Sequence, residues 1–476
     1  MIRLPAGALF GLAAALLCAA MLAFFWPGVA MYDSVSQYGQ VLSGDFDDWH
    51  PPVMARLWSL FHHGWAGQAP MFLLQLLLYW TGLGLFAAAL ARNGSRIAAG
   101  AALALGLWPP FAGWEVVVLK DGQMAGALLT ATGLAAWWGL DGRRLPRLAI
   151  AAIALLLLYA TLLRFNAMFA TVPLAIGLLG ARLHRPLPAI AALVAGFVLV
   201  VTLGPIANHH LFGARASGVE RALPIFDLAG IARHAGPEAV PVLEASIWRE
   251  AEKRHCITPL LWDPLADEAH CAFVSDALDE AAPGRTLAVA WTGAILHHPV
   301  AYAAHRLAHF NMTMRFWTPQ RMPFAEPQWN SEPNTLGLGS PAPRIERFQL
   351  LAGWLANSPI ASPMLWLACA FAILALARPA TGPRQQLAIT LAFSSVATEL
   401  AFLLIGIASD FRYHLWAMLA AGLAALLLAG TPLPARRMRI ALAAILLTAG
   451  ICLAARLSLP PIGETYAQAL APERAG

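Results

Sequence analysis

Residues 6–29 read AGALFGLAAALLCAAMLAFFWPGV, and residues 31–54 just behind them read MYDSVSQYGQVLSGDFDDWHPPVM. The first stretch has no charged side chain and is longer than the roughly 20 apolar residues of helix that cross a bilayer core, so it reads as a membrane span. It exceeds the apolar region of a signal peptide and lacks a clear small-residue cleavage site. The second stretch is too polar to span. Asp33, Asp45, Asp47, Asp48 and His50, followed by His62 and His63, alternate with apolar and aromatic residues, as in a helical hairpin lying at the membrane surface. An uncharged span leading into an acidic, amphipathic loop sets the fold class: an all-α polytopic membrane protein with a helical hairpin in its first outer loop.

The rest of the chain repeats the pattern. Of its 476 residues, 59% are hydrophobic and 12% charged, with 17 Trp, a balance foreign to soluble domains of this length. Ten further apolar segments bring the expected spans to about eleven: Pro70–Ala91, Ile97–Gly113, Gly122–Leu140, Leu148–Leu163, Ala167–Leu183, Pro188–Ala207, Ile360–Ala377, Leu387–Ile407, Tyr413–Leu428 and Ile440–Leu457. With the N-terminus inside, the inner loops hold Arg92 and Arg96, then Arg143, Arg144 and Arg147, then Arg182 and Arg185, then Arg378 and Arg384, then Arg436, Arg437 and Arg439. The short outer loops hold mostly single basic residues, Arg56, Lys120, Arg164 and Arg412, so the positive-inside rule fixes this orientation. The net charge of +5 is therefore a topology signal and not a nucleic-acid footprint.

Three parts follow: residues 1–207, a transmembrane module holding the first loop at 31–69; residues 208–357, an extracytoplasmic segment; and residues 358–476, a second transmembrane module. The middle part reads as a small helical domain to Arg285, an amphipathic helix over Thr286–Met314, and a long Pro-, Asn- and Gly-rich loop over Trp317–Pro343. Cys256 and Cys271 are its only cysteines and are expected to pair across a short Pro-containing loop. His298, His305 and His309 recur near one helical face, but no carboxylate or cysteine stands at ligand spacing, so an interfacial helix is expected there and no metal. There is no phosphate-binding GxxxxGK[ST] loop, no internal repeat, and no cofactor signature.

Candidate chemistry gathers at the outer ends of the spans. Asp33 lies just past the first span, where a carboxylate against apolar surface can have its ionisation tuned for general-base work; the plainer alternative is a solvated flank. Lys120 and Asp121 close the run Trp114-Glu-Val-Val-Val-Leu-Lys-Asp. A lysine in a chain whose only other lysine is Lys253 could grip a lipid-linked phosphate, or could be an interfacial ion pair that snorkels. Arg164 with Asn166, and Arg412 with Tyr413, mark two more outer boundaries. Three cations at three boundaries are what a phosphate-bearing donor requires if the spans bundle together. Glu399 lies inside the ninth span, where it can pair with a basic group such as Arg164 or serve a catalytic role. Asp47 and Asp48 are expected to cap the turn into Pro51-Pro52, and Asp45 to be a solvated loop acid.

Asp33 and His50-Pro51-Pro52 resemble the glycosyltransferase C superfamily, the multispanning enzymes that move a sugar from a polyprenyl-phosphate carrier onto an acceptor, in particular its mannosyl- and aminoarabinosyl-transferase-like branches. The layout agrees along most of the chain: many spans, the catalytic loop first, a large polar segment late. One departure is Ser34, where many relatives carry a second acid. The resemblance implies Asp33 as the catalytic residue and a polyprenyl-phosphate sugar as the donor, with His50 shaping the loop or contacting the acceptor; Lys120, Asp121, Arg164, Asn166, Arg412 and Tyr413, read from the residues themselves, are the further substrate-binding candidates, and Lys120, Arg164 and Arg412 are expected to stabilise charge on the leaving phosphate. It also implies a glycan, lipid or protein acceptor and a place in the bacterial inner membrane with the site on the extracytoplasmic face. The rival class is a transporter or flippase of a lipid-linked or ionic substrate, working through Glu399 and Arg164, although the inverted repeats usual in such proteins are not visible.

Overall fold

The computed structural model describes residues 5–179, 186–378 and 382–462. Among them the protein is all helix and loop, with three isolated backbone bridges and no named strand. Six helices are long and apolar enough to cross a membrane: Ala6–Phe25, Ala69–Arg92, Leu187–Leu211, Pro383–Ile405, Phe411–Leu428 and Ala435–Ser458. The other five expected spans also fall on helices but do not meet that measure singly. Three of them are shorter, Arg147–Leu163, Phe165–Leu178 and Pro363–Leu376, and Lys120–Gly139 carries more polar side chains. Arg182, Arg185 and the end of the expected Ala167–Leu183 span lie outside the described residues.

The expected straight span Ile97–Gly113 is instead two helices, Arg96–Gly106 and Pro109–Glu115, bent by 54°. Pro109 and Pro110 explain the break: each lacks the amide a continuous helix needs, and a proline disfavours helical backbone in the residue before it. The bend turns Trp114 and Glu115 into the protein, where both are almost fully buried. The same chemistry divides the expected Thr286–Met314 helix into Arg285–His297 and Pro299–Thr313, with His298 held out of helical geometry ahead of Pro299.

Helices Ala69–Arg92 and Lys120–Gly139 form the most closely packed pair. A side chain at Gly82 would lie 2.4 Å from the backbone of Leu129, and one at Gly133 would lie 2.5 Å from the Gly82 carbonyl oxygen. Small residues on both faces let the backbones approach, which is how helices gain packing where lipid removes the hydrophobic drive. Helix Leu187–Leu211, by contrast, presents nearly all its apolar residues outward, as a lipid-facing span does.

The 208–357 segment has its own core of Leu228, Ile231, Trp248, Val274 and Leu278, and a disulfide joins Cys256 to Cys271. Of its several links to the bundle, two bear on the site. Arg215 exchanges backbone hydrogen bonds with Phe46 and Asp48 of the first loop. Residues 260–262 pair with 407–409: Leu261 bridges Ala408, the Trp262 amide donates to the Ile407 carbonyl at 2.9 Å, and the Ser409 hydroxyl donates to the Leu260 carbonyl at 2.7 Å.

Candidate functional site

Asp33 occupies the first turn of helix Tyr32–Ser43, where the exposed amides and dipole of a helix start favour an anion. Its placement follows from the extended residues ahead of it. The Val29 amide donates to the Val116 carbonyl at 3.0 Å and the Val118 amide to the Val29 carbonyl at 2.9 Å, so the end of the first span runs parallel to the approach to Lys120. Gln75 locks that approach from below, donating to the Glu115 and Val117 carbonyls at 2.9 and 2.8 Å. Gly122 makes room for it: a Cβ there would lie 2.4 Å from Gln75 Nε2. The Ser34 hydroxyl donates to the Val118 carbonyl at 2.5 Å and is fully buried. A carboxylate in its place would face a carbonyl oxygen, which accounts physically for the missing second acid.

Around Asp33 the cations converge. Arg412 Nη1 lies 3.1 Å and Lys120 Nζ 3.8 Å from Asp33 Oδ2. Lys120 Nζ also donates to His50 Nδ1 at 2.5 Å, and His50 Nε2 stands 3.9 Å from Asp33 Oδ1. Arg412 is shared with Asp410 at 3.1 Å and Asp121 at 4.0 Å. Arg164 pairs with Asp121, donates to Asn166 Oδ1 at 3.1 Å, and lays its guanidinium 4.1 Å from the centre of the Tyr413 ring. All eight residues named from the sequence thus meet at one end of the bundle, carried there by five separate stretches of chain. Three cations face three carboxylates, and the Asp33 side chain is 13% exposed.

The electrostatics follow from this crowding. Burial alone would raise the Asp33 pKa, but Arg412, Lys120 and His50 outweigh it and hold the carboxyl well below the usual carboxylate range. Burial, reinforced by Lys120, pushes His50 down to about 3, so at neutral pH it is an uncharged acceptor for the lysine.

Some sequence expectations change. Glu399 does not meet Arg164; it is fully buried and accepts from His414 Nδ1 at 2.6 Å, and His414 Nε2 stands 3.2 Å from Thr313 Oγ1. Asp47 does cap a local turn, receiving the Trp49 amide at 3.0 Å, but Asp48 reaches across to the Ser217 amide and hydroxyl, both at 2.7 Å. Asp45 pairs at the surface with Arg215. His305 and His309 are buried: His305 Nε2 faces Asp227 at 3.6 Å, and His309 contacts the Pro259 carbonyl at 2.8 Å. Asp410 was not singled out as a site residue, although its place two residues before Arg412 was the available signal. Gln75, inside a span, gave none.

No protein-family model and no curated protein sequence matches the chain. Two solved structures are similar to it at low overlap. One is the archaeal oligosaccharyltransferase AglB from Archaeoglobus fulgidus, in complex with an inhibitory peptide and a dolichol-phosphate; it is 14% identical over 94% of this chain, with a TM-score of 0.38. This chain spans 56% of that protein's length. The other is ArnT from Cupriavidus metallidurans bound to undecaprenyl phosphate, 13% identical over 88% of this chain and 76% of that one, with a TM-score of 0.26.

Proposed function

We propose that the protein is a membrane glycosyltransferase that moves a hexose or pentose from a polyprenyl-phosphate carrier to a lipid, glycan or protein acceptor on the extracytoplasmic face of a bacterial inner membrane. The observation that carries this reading is the convergence of Lys120, Arg164 and Arg412, from three separate helix ends, beside the single carboxylate of Asp33. Charges this close to a membrane are expensive to keep and mark functional sites. The pattern of Asp33 followed by His50-Pro51-Pro52 supports the same reading.

In the reaction, the bond between the anomeric carbon and the phosphate oxygen breaks, and its electron pair leaves with the lipid phosphate. Lys120 and Arg412 meet the charge that grows on that phosphate, and Arg164 holds Asp121 in place behind them. Asp33, kept ionised, steadies positive charge at the anomeric carbon and orients the incoming acceptor hydroxyl. In the free protein its carboxylate occupies Arg412 and Lys120 itself, so the donor phosphate enters by exchange: it takes over the cations and leaves Asp33 freer to face the sugar. His50 fixes the direction of the Lys120 ammonium.

The test is binding of undecaprenyl phosphate to the purified protein in phosphatidylcholine nanodiscs. A charge-assisted hydrogen bond contributes about 1.5–3 kcal/mol, so Arg412→Ala and Lys120→Ala should each weaken binding by about 10-fold or more. Arg436→Ala, exposed at the other end of the bundle, should not. Equal affinity in all three variants would remove the phosphate site.

A further inference from the structure

We propose that Asp263 is a second catalytic carboxylate of this site, placed on its acceptor side to take the proton that the acceptor hydroxyl loses. The inference rests on the glycosyltransferase reading above and adds a residue from the 208–357 segment to it.

Asp263 opens a short helical turn, Asp263–Leu265, directly behind the residues that clip the segment onto the 407–409 loop. That loop runs on into Asp410 and Arg412. The clip is held from several sides: Trp262 to Ile407, Ser409 to Leu260, Arg315 to the Ser409 carbonyl at 3.3 Å, and Arg306 to the Gly406 carbonyl at 2.6 Å. From the first loop, the Trp49 ring packs on Trp262 with centroids 5.6 Å apart, one residue before His50 and one before Asp263. Two of the stretches that bound Asp33, the first loop and the loop leading to Arg412, therefore also fix the chain at Asp263.

Its side chain is solvent-exposed, yet the protein around it is dense enough for burial to dominate its titration. The charged groups acting on it are Asp410 and Arg412 from the adjoining loop and Asp33 from the first-loop helix. Among the described residues it forms no ion pair, whereas Asp33, Asp121 and Asp410 are all paired. Burial, with Asp410 and Asp33 adding to it, pushes the Asp263 carboxyl up to about 6.

The division of labour follows. A general base works best when it titrates near the operating pH, and Asp33, pinned between Arg412 and Lys120, does not. Asp33 answers to the developing positive charge. The acceptor oxygen bonds to the anomeric carbon, the lipid phosphate departs with its electron pair, and the hydroxyl proton moves to Asp263, which, being exposed, returns it to water. Protonation of Asp263 below about pH 6 removes the base, so transfer should fall as the pH drops through that value.

The experiment measures undecaprenyl phosphate binding by calorimetry in two buffers of different ionisation enthalpy near pH 6. It also measures pH–rate profiles for transfer from undecaprenyl-phosphate-linked hexoses and pentoses. The bound phosphate adds negative charge beside Asp263 and raises its proton affinity, so wild type should take up protons on binding. Asp263→Asn should bind as tightly or up to about twofold more tightly near pH 6, as the linkage requires, and lose that part of the uptake. Its transfer should drop by about 100-fold or more, without the acidic limb. Asp263→Glu should restore both in part, and exposed Glu268→Gln should match wild type. If uptake and pH profile are the same in Asp263→Asn, the inference falls while the donor site stands. If wild type does not bind undecaprenyl phosphate at all, the donor reading fails and this inference with it.

Discussion

Exchanging Asp33 for asparagine keeps the shape of the side chain and removes only its charge, and the surrounding distances fix what should follow. Asp33 accepts Arg412 at 3.1 Å and stands 3.8 Å from Lys120, but Arg412 retains Asp410 at 3.1 Å and Asp121 at 4.0 Å. Lys120, however, loses its one carboxylate ion-pair partner among the described residues and keeps only uncharged His50, so the fold should lose about 1–3 kcal/mol, between the cost of a partly solvated ion pair and that of a broken buried one. Asp121 differs, because its side chain is 1% exposed and it neutralises Arg164 directly. Asp121→Asn leaves a buried cation without its counter-charge and should cost about 3–5 kcal/mol. For transfer the order reverses in kind: Asp33→Asn should slow the chemical step by about 100- to 10,000-fold, as loss of a positioned charge or base does, in protein of normal abundance. It should also bind undecaprenyl phosphate more tightly, because the phosphate no longer displaces a carboxylate from Arg412. Freeing one charge-assisted contact is worth about 1.5 kcal/mol, close to tenfold in affinity. Thermal unfolding in nanodiscs, calorimetry with undecaprenyl phosphate and single-turnover transfer give the three readings. Weaker phosphate binding in Asp33→Asn, or near-normal transfer, would refute the competition that the geometry describes.

Three more outcomes are open to measurement. A single cysteine placed near Gly236, in protein stripped of its native cysteines, should react with a membrane-impermeant thiol reagent in intact cells; labelling only after lysis would invert the topology. Replacing Cys256 and Cys271 by serine should lower stability by about 3 kcal/mol, as expected for closing a loop of 15 residues, and an unchanged unfolding curve would show the bond to be idle. Gly122→Val should drive a side chain into Gln75 and displace Lys120 by way of its own helix, so undecaprenyl phosphate binding should weaken together with stability; normal binding would detach Gln75 from the site.

The sequence carried the fold class because lipid imposes a length and a polarity that few other environments do. Among the described residues every expected apolar segment lies on a helix, and the misplaced helix boundaries are those a proline decides locally: the bend at Pro109 and the break at Pro299. The site residues were legible as types, since each is an ionisable or polar residue at the mouth of a span. Their convergence was not, because it depends on backbone pairings such as Val29 with Val117 that no periodicity announces. Glu399 was misassigned for a related reason. The loop between its helix and the next turns back so tightly that His414 arrives beside it.

Depth in the bilayer then separates the roles of these polar groups. On the proposed reading a lipid-linked phosphate rides at headgroup level, so side chains that are to meet it would stand where helices end, as Asp33, Lys120, Arg164 and Arg412 do. Groups deeper in the bundle serve the scaffold: Gln75 spends its amide on the carbonyls of Glu115 and Val117, and Glu399 is closed on His414. Groups beyond the headgroups stitch the 208–357 segment to the first loop, as Asp45 and Asp48 do with Arg215 and Ser217. Asp263 breaks this ordering. It belongs by sequence to the stitching segment, yet the pairing of 260–262 with 407–409 sets it beside the loop that carries Asp410 and Arg412. On the proposed glycosyltransferase reading, a first-loop acid already bound to two cations leaves the acceptor's proton to another group, and Asp263, unpaired among the described residues, is the one this arrangement supplies.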